Sequence, residues 1–458
     1  MDKAKQLGEE KVLKLLLKFS IPAIIGMLVN ALYNMVDRIF IGHGVGSAGI
    51  AGITMGFPIM LVIMAFSMLV GLGANSLISI RLGEQKKDEA ELIMGNALAL
   101  LVILSLTISS LGLFFLKPML KLFGASEVVF PYAQNYLNII LLGAVFQSIG
   151  FGMNNFIRSE GYPKKAMLTM LIGAVLNTIL DPIFIFIFGW GVEGAALATI
   201  ISQAISAAWV LNHFLRGDSL LKLKSETIKI QFPIMLKIFA VGSAPFAMQM
   251  AASLLNAILN RGLSTYGGDV AVSGMGIVMS IATLILMPVF GINQGIQPII
   301  GYNYGAKNFD RVKETLKLGI LGATIIVCIG FLATRLFPIQ LISIFNKEDV
   351  ELLQFGTQAL KTYFIFLPII GFQIVGANYF QAIGKPKQAM LLSLSRQVLI
   401  LIPALLILPK FYALQGVLMA GPVADLISSI ITGAYLVKEY KALTNKQQKI
   451  IKSQPQIS

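Results

Sequence analysis

The sequence predicts an all-α polytopic membrane protein, with twelve transmembrane helices in two six-helix lobes related by a pseudo-two-fold axis along the membrane normal. Three observations carry this expectation. First, the 458 residues are 56% hydrophobic and 13% charged, about half the charged share of a soluble domain. With a mean hydropathy of +0.79, most outward-facing side chains must themselves be apolar, so their solvent is lipid. Second, lysine and arginine gather in alternate connections between apolar runs. Third, sliding the chain on itself by 222 or 223 residues brings its two halves into register.

The apolar runs fall at 16–41, 50–80, 92–115, 130–157, 166–188 and 192–215, then at 234–263, 270–302, 314–335, 351–381, 388–408 and 413–437. At about 20 to 25 residues per crossing, they leave room for short loops and tails but for no sizeable soluble domain. The first lobe is expected over 1–223, and the second over 224–458 with a basic cytoplasmic tail after Lys438. The opening MDKAKQLGEEKVLKLLLK carries no small-residue cleavage site, so the first run is expected to stay in the mature protein.

One set of alternate connections holds 27 of the 36 basic residues and the opposite set five, which places both termini in the cytoplasm of a cell (plasma) membrane protein. That asymmetry accounts for the net charge of +14 without nucleic acid, and the basic face is suited to anionic membrane lipids. Cys328 is the lone cysteine, which excludes a disulfide framework within one chain.

The duplication is ordered: Asp37-Arg38 falls on Asn260-Arg261, Gly161-Tyr-Pro-Lys on Gly384-Lys-Pro-Lys, and Gly194 on Gly416. Six crossings per half, an even number, put both halves in the membrane the same way up. The GxxxG pair Gly291/Gly295 reads as close helix approach.

A carboxylate at the bilayer centre costs at least about 2.5 kcal/mol, so each one needs a partner and a purpose. Asn30, Tyr33, Asn34 and Asp37 recur at helical steps in the first run, and Asn177 and Asp181 lie four apart in the fifth, followed by Pro182. Pro182 frees the Thr178 carbonyl one turn back. Carboxylate, amide and carbonyl oxygens suit a hard cation or a proton, with Asn154 and Thr199 as further members. Asp37 and Asp181, side by side, form a pair that can load and unload a proton, while Na⁺ between Asp37, Asn177, Asp181 and Thr199 is the alternative. The second half puts Asn260, Ile400, Ala404 and Gly421 at the matching positions, so the acidic site is expected in the first half alone. Asn34, Met35, Met64, Gln249, Asn256, Asn260 and Asn378 are candidates for a substrate cavity, the methionines because flexible thioethers fit many shapes.

The segments LYNMVDRIFIGH (32–43) and NTILDPIF (177–184) resemble signatures of the multidrug and toxic compound extrusion (MATE) family, in the branch of MepA-like and DinF-like exporters. The resemblance covers nearly the whole chain. It implies two lobes around a cavity and cation-coupled export by alternating access. It also implies an ion-coupling network on Asp37, Asn154, Asn177, Asp181 and Thr199, with Tyr33 nearby. The expected function is therefore a multidrug efflux antiporter that exchanges amphipathic, often cationic organic compounds for H⁺ or Na⁺. The alternative is a flippase for a lipid-linked precursor, whose pyrophosphate would call for several cavity cations where only Arg38, Arg261, Lys361 and Arg396 lie within the runs. No cofactor, obligate protein partner or enzyme activity is expected: the two histidines, His43 and His213, sit near run ends, and no catalytic or phosphate-loop motif is present.

Overall fold

The computed structural model describes residues 3–345, 347 and 349–453, without the side chains of residues 34, 47 and 449–453. Among them there are helices and no strand. Among the described residues nine helices are long and apolar enough to cross a membrane, and a further pair bent by 53° passes the same test together. Two of the nine are double, broken by left-handed residues at Gly268 (φ 66°) and Ala413 (φ 46°). Twelve crossing segments result: α1 (Val12–Gly44), α2 (Ser47–Gly83), α3 (Lys87–Leu122), α4 (Phe130–Ser159), α5 (Pro163–Ile187), α6 (Gly191–Leu215), α7 (232–267), α8 (269–305), α9 (Phe309–Leu336), α10 (Val350–Tyr363 with Leu367–Ala382), α11 (386–412) and α12 (414–453). The basic tail continues α12 as helix, with Lys446 lying over the ring of Tyr304.

Helix ends follow local chemistry. The matched Gly-x-Pro turns are built alike in both halves. Gly161 (φ 92°) and Gly384 (φ 69°) supply the left-handed residue after α4 and α10, and Pro163 and Pro386 open α5 and α11, where a missing N–H is harmless. The outward faces are apolar, as lipid requires: Phe114 and Ile187 are 78% and 74% exposed.

The chain forms two compact units, Met1–Glu9 with Ile25–Gln249 and Glu10–Ile24 with Met250–Ser458. The start of α1 thus belongs to the second unit and the start of α7 to the first. In the second unit Gly291 and Gly295 receive α1: a Cβ at 295 would lie 2.5 Å from Ser20 Oγ and 2.8 Å from its backbone nitrogen. In the first unit α7 lies against α2 so closely that a Cβ at Gly242 would run into the Leu69 carbonyl. Gly242→Ala is therefore expected to cost about 1–3 kcal/mol through forced backbone displacement, read as a lower thermal midpoint in detergent.

Candidate functional site: a bare oxygen cluster in the first unit

Four helices of the first unit converge on Asp37 (α1), Tyr136 (α4), Asn177 and Asp181 (α5) and Thr199 (α6). Asn177 and Asp181 share a face of α5, and both are buried, at 2% and 0% exposed. Asn177 Nδ2 donates to Asp181 Oδ1 at 3.1 Å and, at 3.4 Å, to Thr199 Oγ1, which itself donates to the Ala195 carbonyl at 2.9 Å. Pro182 ends the regular ladder here, and Ile183–Ile187 continue as a π-helical turn directly after Asp181. Such turns recur at functional sites because they re-aim side chains and loosen the backbone ladder. Asp37 reaches the cluster from α1 and sets its carboxylate beside that of Asp181.

Several buried acceptors of this group go unused. Asp37 Oδ1, Asn177 Oδ1 and Asp181 Oδ2 are buried and accept no hydrogen bond among the described residues, and Ser202 Oγ, one turn beyond Thr199 on α6, also has no partner. Buried acceptors without donors are costly, and two carboxylates in contact more so. The arrangement calls for positive charge. Among the described residues neither Arg38 nor Arg158 supplies an ion pair here: Arg38 is exposed, and Arg158 donates to Asn155 and Met170 instead. Among the described residues no three His, Cys, Asp or Glu side chains gather as a metal site. A cation here is held by carboxylate, amide and hydroxyl oxygens, the donor set of a hard ion or a proton.

Tyr136 is a member that sequence reasoning missed. It is 2% exposed and lies within electrostatic reach of Asp37, Asp181 and Tyr33. Asn154, expected in the network, stands apart. It follows Tyr136 by 18 residues on the same helix, a rise of about 27 Å, and is buried near the other end of α4 with its Oδ1 unpartnered. Of the substrate-cavity candidates, Met35 is 61% exposed and lines an open pocket of about 390 Å³ with Arg38, Ile39, Gly42, His43 and Ile50. The Asn34 side chain lies outside the described residues. Met64, Gln249 and Asn378 are half-buried, and Asn256 and Asn260 exposed.

The second half does contain a buried acid. Asp425 (α12) is 1% exposed and accepts from Arg396 Nε (α11) at 2.6 Å. Unlike Asp181, it is neutralised by a fixed guanidinium.

The MatE family model matches residues 22–183 and 245–406, one repeat in each half of the chain. This chain belongs to the MatE family. The MATE multidrug transporter DinF-BH, solved in complex with a dye, is 44% identical over 94% of this MatE chain and 96% of its own, with a TM-score of 0.88. A MATE crystal structure in complex with MaL6 is 26% identical over 97% of this chain and 100% of its own, with a TM-score of 0.91. The multidrug export protein MepA of Staphylococcus haemolyticus (strain JCSC1435) is 28% identical over 92% of this chain and 93% of its own length. The fold is the 12-helix, two-lobe all-α plan of those transporters, and this MatE protein is a multi-pass membrane transporter.

Proposed function

We propose that the protein exports amphipathic, often cationic organic compounds from the cell by antiport, with H⁺ or Na⁺ as the coupling ion and alternating access as the mechanism. The observation that carries this reading is the set of buried, donorless oxygens on Asp37, Asn177 and Asp181. A proton shared by the two carboxylates, or Na⁺ held by Asp37, Asn177, Asp181 and Thr199, meets that demand for charge. The names of its relatives, a multidrug export protein and a multidrug transporter in complex with a dye, support organic compounds as cargo. The skew of basic residues supports a plasma-membrane protein with both termini in the cytoplasm.

A site that must be charged in one state and can be emptied in another ties ion movement to the conformational cycle. The test is reconstitution of the wild type in liposomes, with a pH gradient and a Na⁺ gradient imposed separately while transport of a fluorescent lipophilic cation is recorded. One of the two is expected to drive uptake. Absence of transport under either overturns the antiport reading and favours the flippase.

A further inference from the structure

At the other end of α4 from Tyr136, the first unit buries a cation without an anion. Arg158 is 4% exposed. Its guanidinium donates from Nη1 to Asn155 Oδ1 at 2.6 Å and from Nη2 to Met170 Sδ at 3.7 Å, an amide and a thioether. Every other buried acidic or basic side chain outside the oxygen cluster has a partner of the opposite kind among the described residues. Glu91 has Lys224 at 2.6 Å, Glu160 has His213 at 3.0 Å, Glu439 has Lys385 at 2.5 Å, and Asp425 has Arg396. Arginine cannot shed its charge to escape burial, and a buried charge with no counter-charge costs several kcal/mol.

The surroundings are built rather than incidental. Asn155 Oδ1, one turn back on the same helix, accepts from the guanidinium. Met170 covers the site with a flexible chain, and Gly26 of α1 makes room for it: a Cβ at 26 would lie 2.7 Å from Met170 Sδ. The duplication repeats the pattern in the second unit. Asn155-x-x-Arg158 falls on Asn378-x-x-Gln381, and Gln381, 6% exposed, has an Nε2 with no acceptor. Each unit thus buries a hydrogen-bond donor at the end of this helix, and the first unit makes it a charged one.

We propose that Arg158, oriented by Asn155 and covered by Met170, is an anion-recognition site for the carboxylate or phosphate of an amphipathic molecule. A planar fork of N–H donors is the group that reads such oxyanions in two-point fashion, and displacement of the Met170 thioether exposes it. The ligand is a zwitterionic or anionic cargo, or the headgroup of a membrane phospholipid. A cargo of this kind extends the export reading beyond plain cations and rests on it. Binding is measured at equilibrium with no ion gradient, so failure here and failure of coupled export are separate results.

The probes are rhodamine 110, which has a free carboxylate, and rhodamine 123, its methyl ester. Both are titrated by fluorescence anisotropy into full-length protein purified with phosphatidylcholine as the sole added lipid. Relative to wild type, Arg158→Gln is expected to weaken rhodamine 110 against rhodamine 123 by about tenfold, the loss of one charge-assisted pair. Thermal stability is followed in parallel with phosphatidylglycerol added against phosphatidylcholine. A change in the dye ratio supports the site and assigns the anion to cargo. An unchanged ratio, with loss of a phosphatidylglycerol-specific rise in midpoint, supports the site and assigns it to the lipid headgroup. If neither quantity depends on residue 158, the proposal is overturned. Arg158→Lys keeps the cation and loses the fork, and it carries the same comparison should Arg158→Gln fail to purify as a folded protein.

Discussion

Asp181→Asn is expected to abolish ion-driven export while leaving a folded protein that still binds its organic cargo. The substitution keeps shape and the hydrogen bond to Asn177, and it removes the charge that makes the cluster demand a cation. A coupling free energy in the ordinary range of about 1–3 kcal/mol corresponds to a loss of gradient-driven transport of about 5- to 150-fold. Asp37→Asn should do the same, and the double variant little more, because either substitution alone already takes a carboxylate out of the shared oxygen cluster. Ion identity has its own readout. If Na⁺ is the ligand, NaCl raises the wild-type thermal midpoint over choline chloride, by about 2.7 kcal/mol of stabilisation at a hundred times its dissociation constant, and Asp181→Asn loses that rise. If the proton is the ligand, the two salts are equivalent and the midpoint depends on pH instead. Wild-type coupling in Asp181→Asn would make the cluster a structural contact.

Much of this site is legible in sequence because a helix fixes which residues share a face. Asn177 and Asp181 sit four apart in an apolar run, so their meeting follows from 3.6 residues per turn, and Pro182 announces the altered turn. The breaks at Gly268 and Ala413 follow turn-rich GG and PKFYA stretches. What face periodicity cannot give is depth. Tyr136 and Asn154 lie on one face of α4, yet the rise between them separates the ion cluster from the Arg158 region. Tyr136 reads in sequence as ordinary aromatic packing. Asp425 hides in an apolar stretch, and its partner Arg396 is 29 residues away on another helix, a distance no local pattern bridges. Arg158 counts in sequence as one more basic residue of a connection, whereas the structure continues α4 through it and buries it. Close approach shows in sequence as the GxxxG at 291/295, but only the fold shows that its partner is the opening of α1.

The Arg396–Asp425 pair predicts the opposite phenotype from Asp181, a loss of stability without loss of coupling in whatever protein survives. Asp425 is buried at 1% exposure, its Oδ1 held at 2.6 Å by a guanidinium from the π-helical stretch Ser395–Leu401. Tyr363 of α10 packs against the same region, fitting over Gly421 where a Cβ would lie 2.5 Å from its ring. Removing either partner leaves a bare charge in a closed, low-dielectric setting, which costs about 3–5 kcal/mol. Asp425→Asn and Arg396→Gln should each lose most of their monodisperse yield on size exclusion and show lower midpoints in detergent. Replacing both at once by apolar residues, Arg396→Met with Asp425→Leu, removes the desolvation cost along with the attraction, so stability should return to near the wild-type value. A double variant as damaged as the singles would show that the pair is fitted to further polar neighbours rather than to itself. The contrast with Asp181 separates two uses of a buried carboxylate within one duplicated fold: Asp425 is answered by a fixed side-chain cation and locks helices together. Asp181 faces another acid, so its counter-charge has to be mobile, and an ion that comes and goes can do transport work.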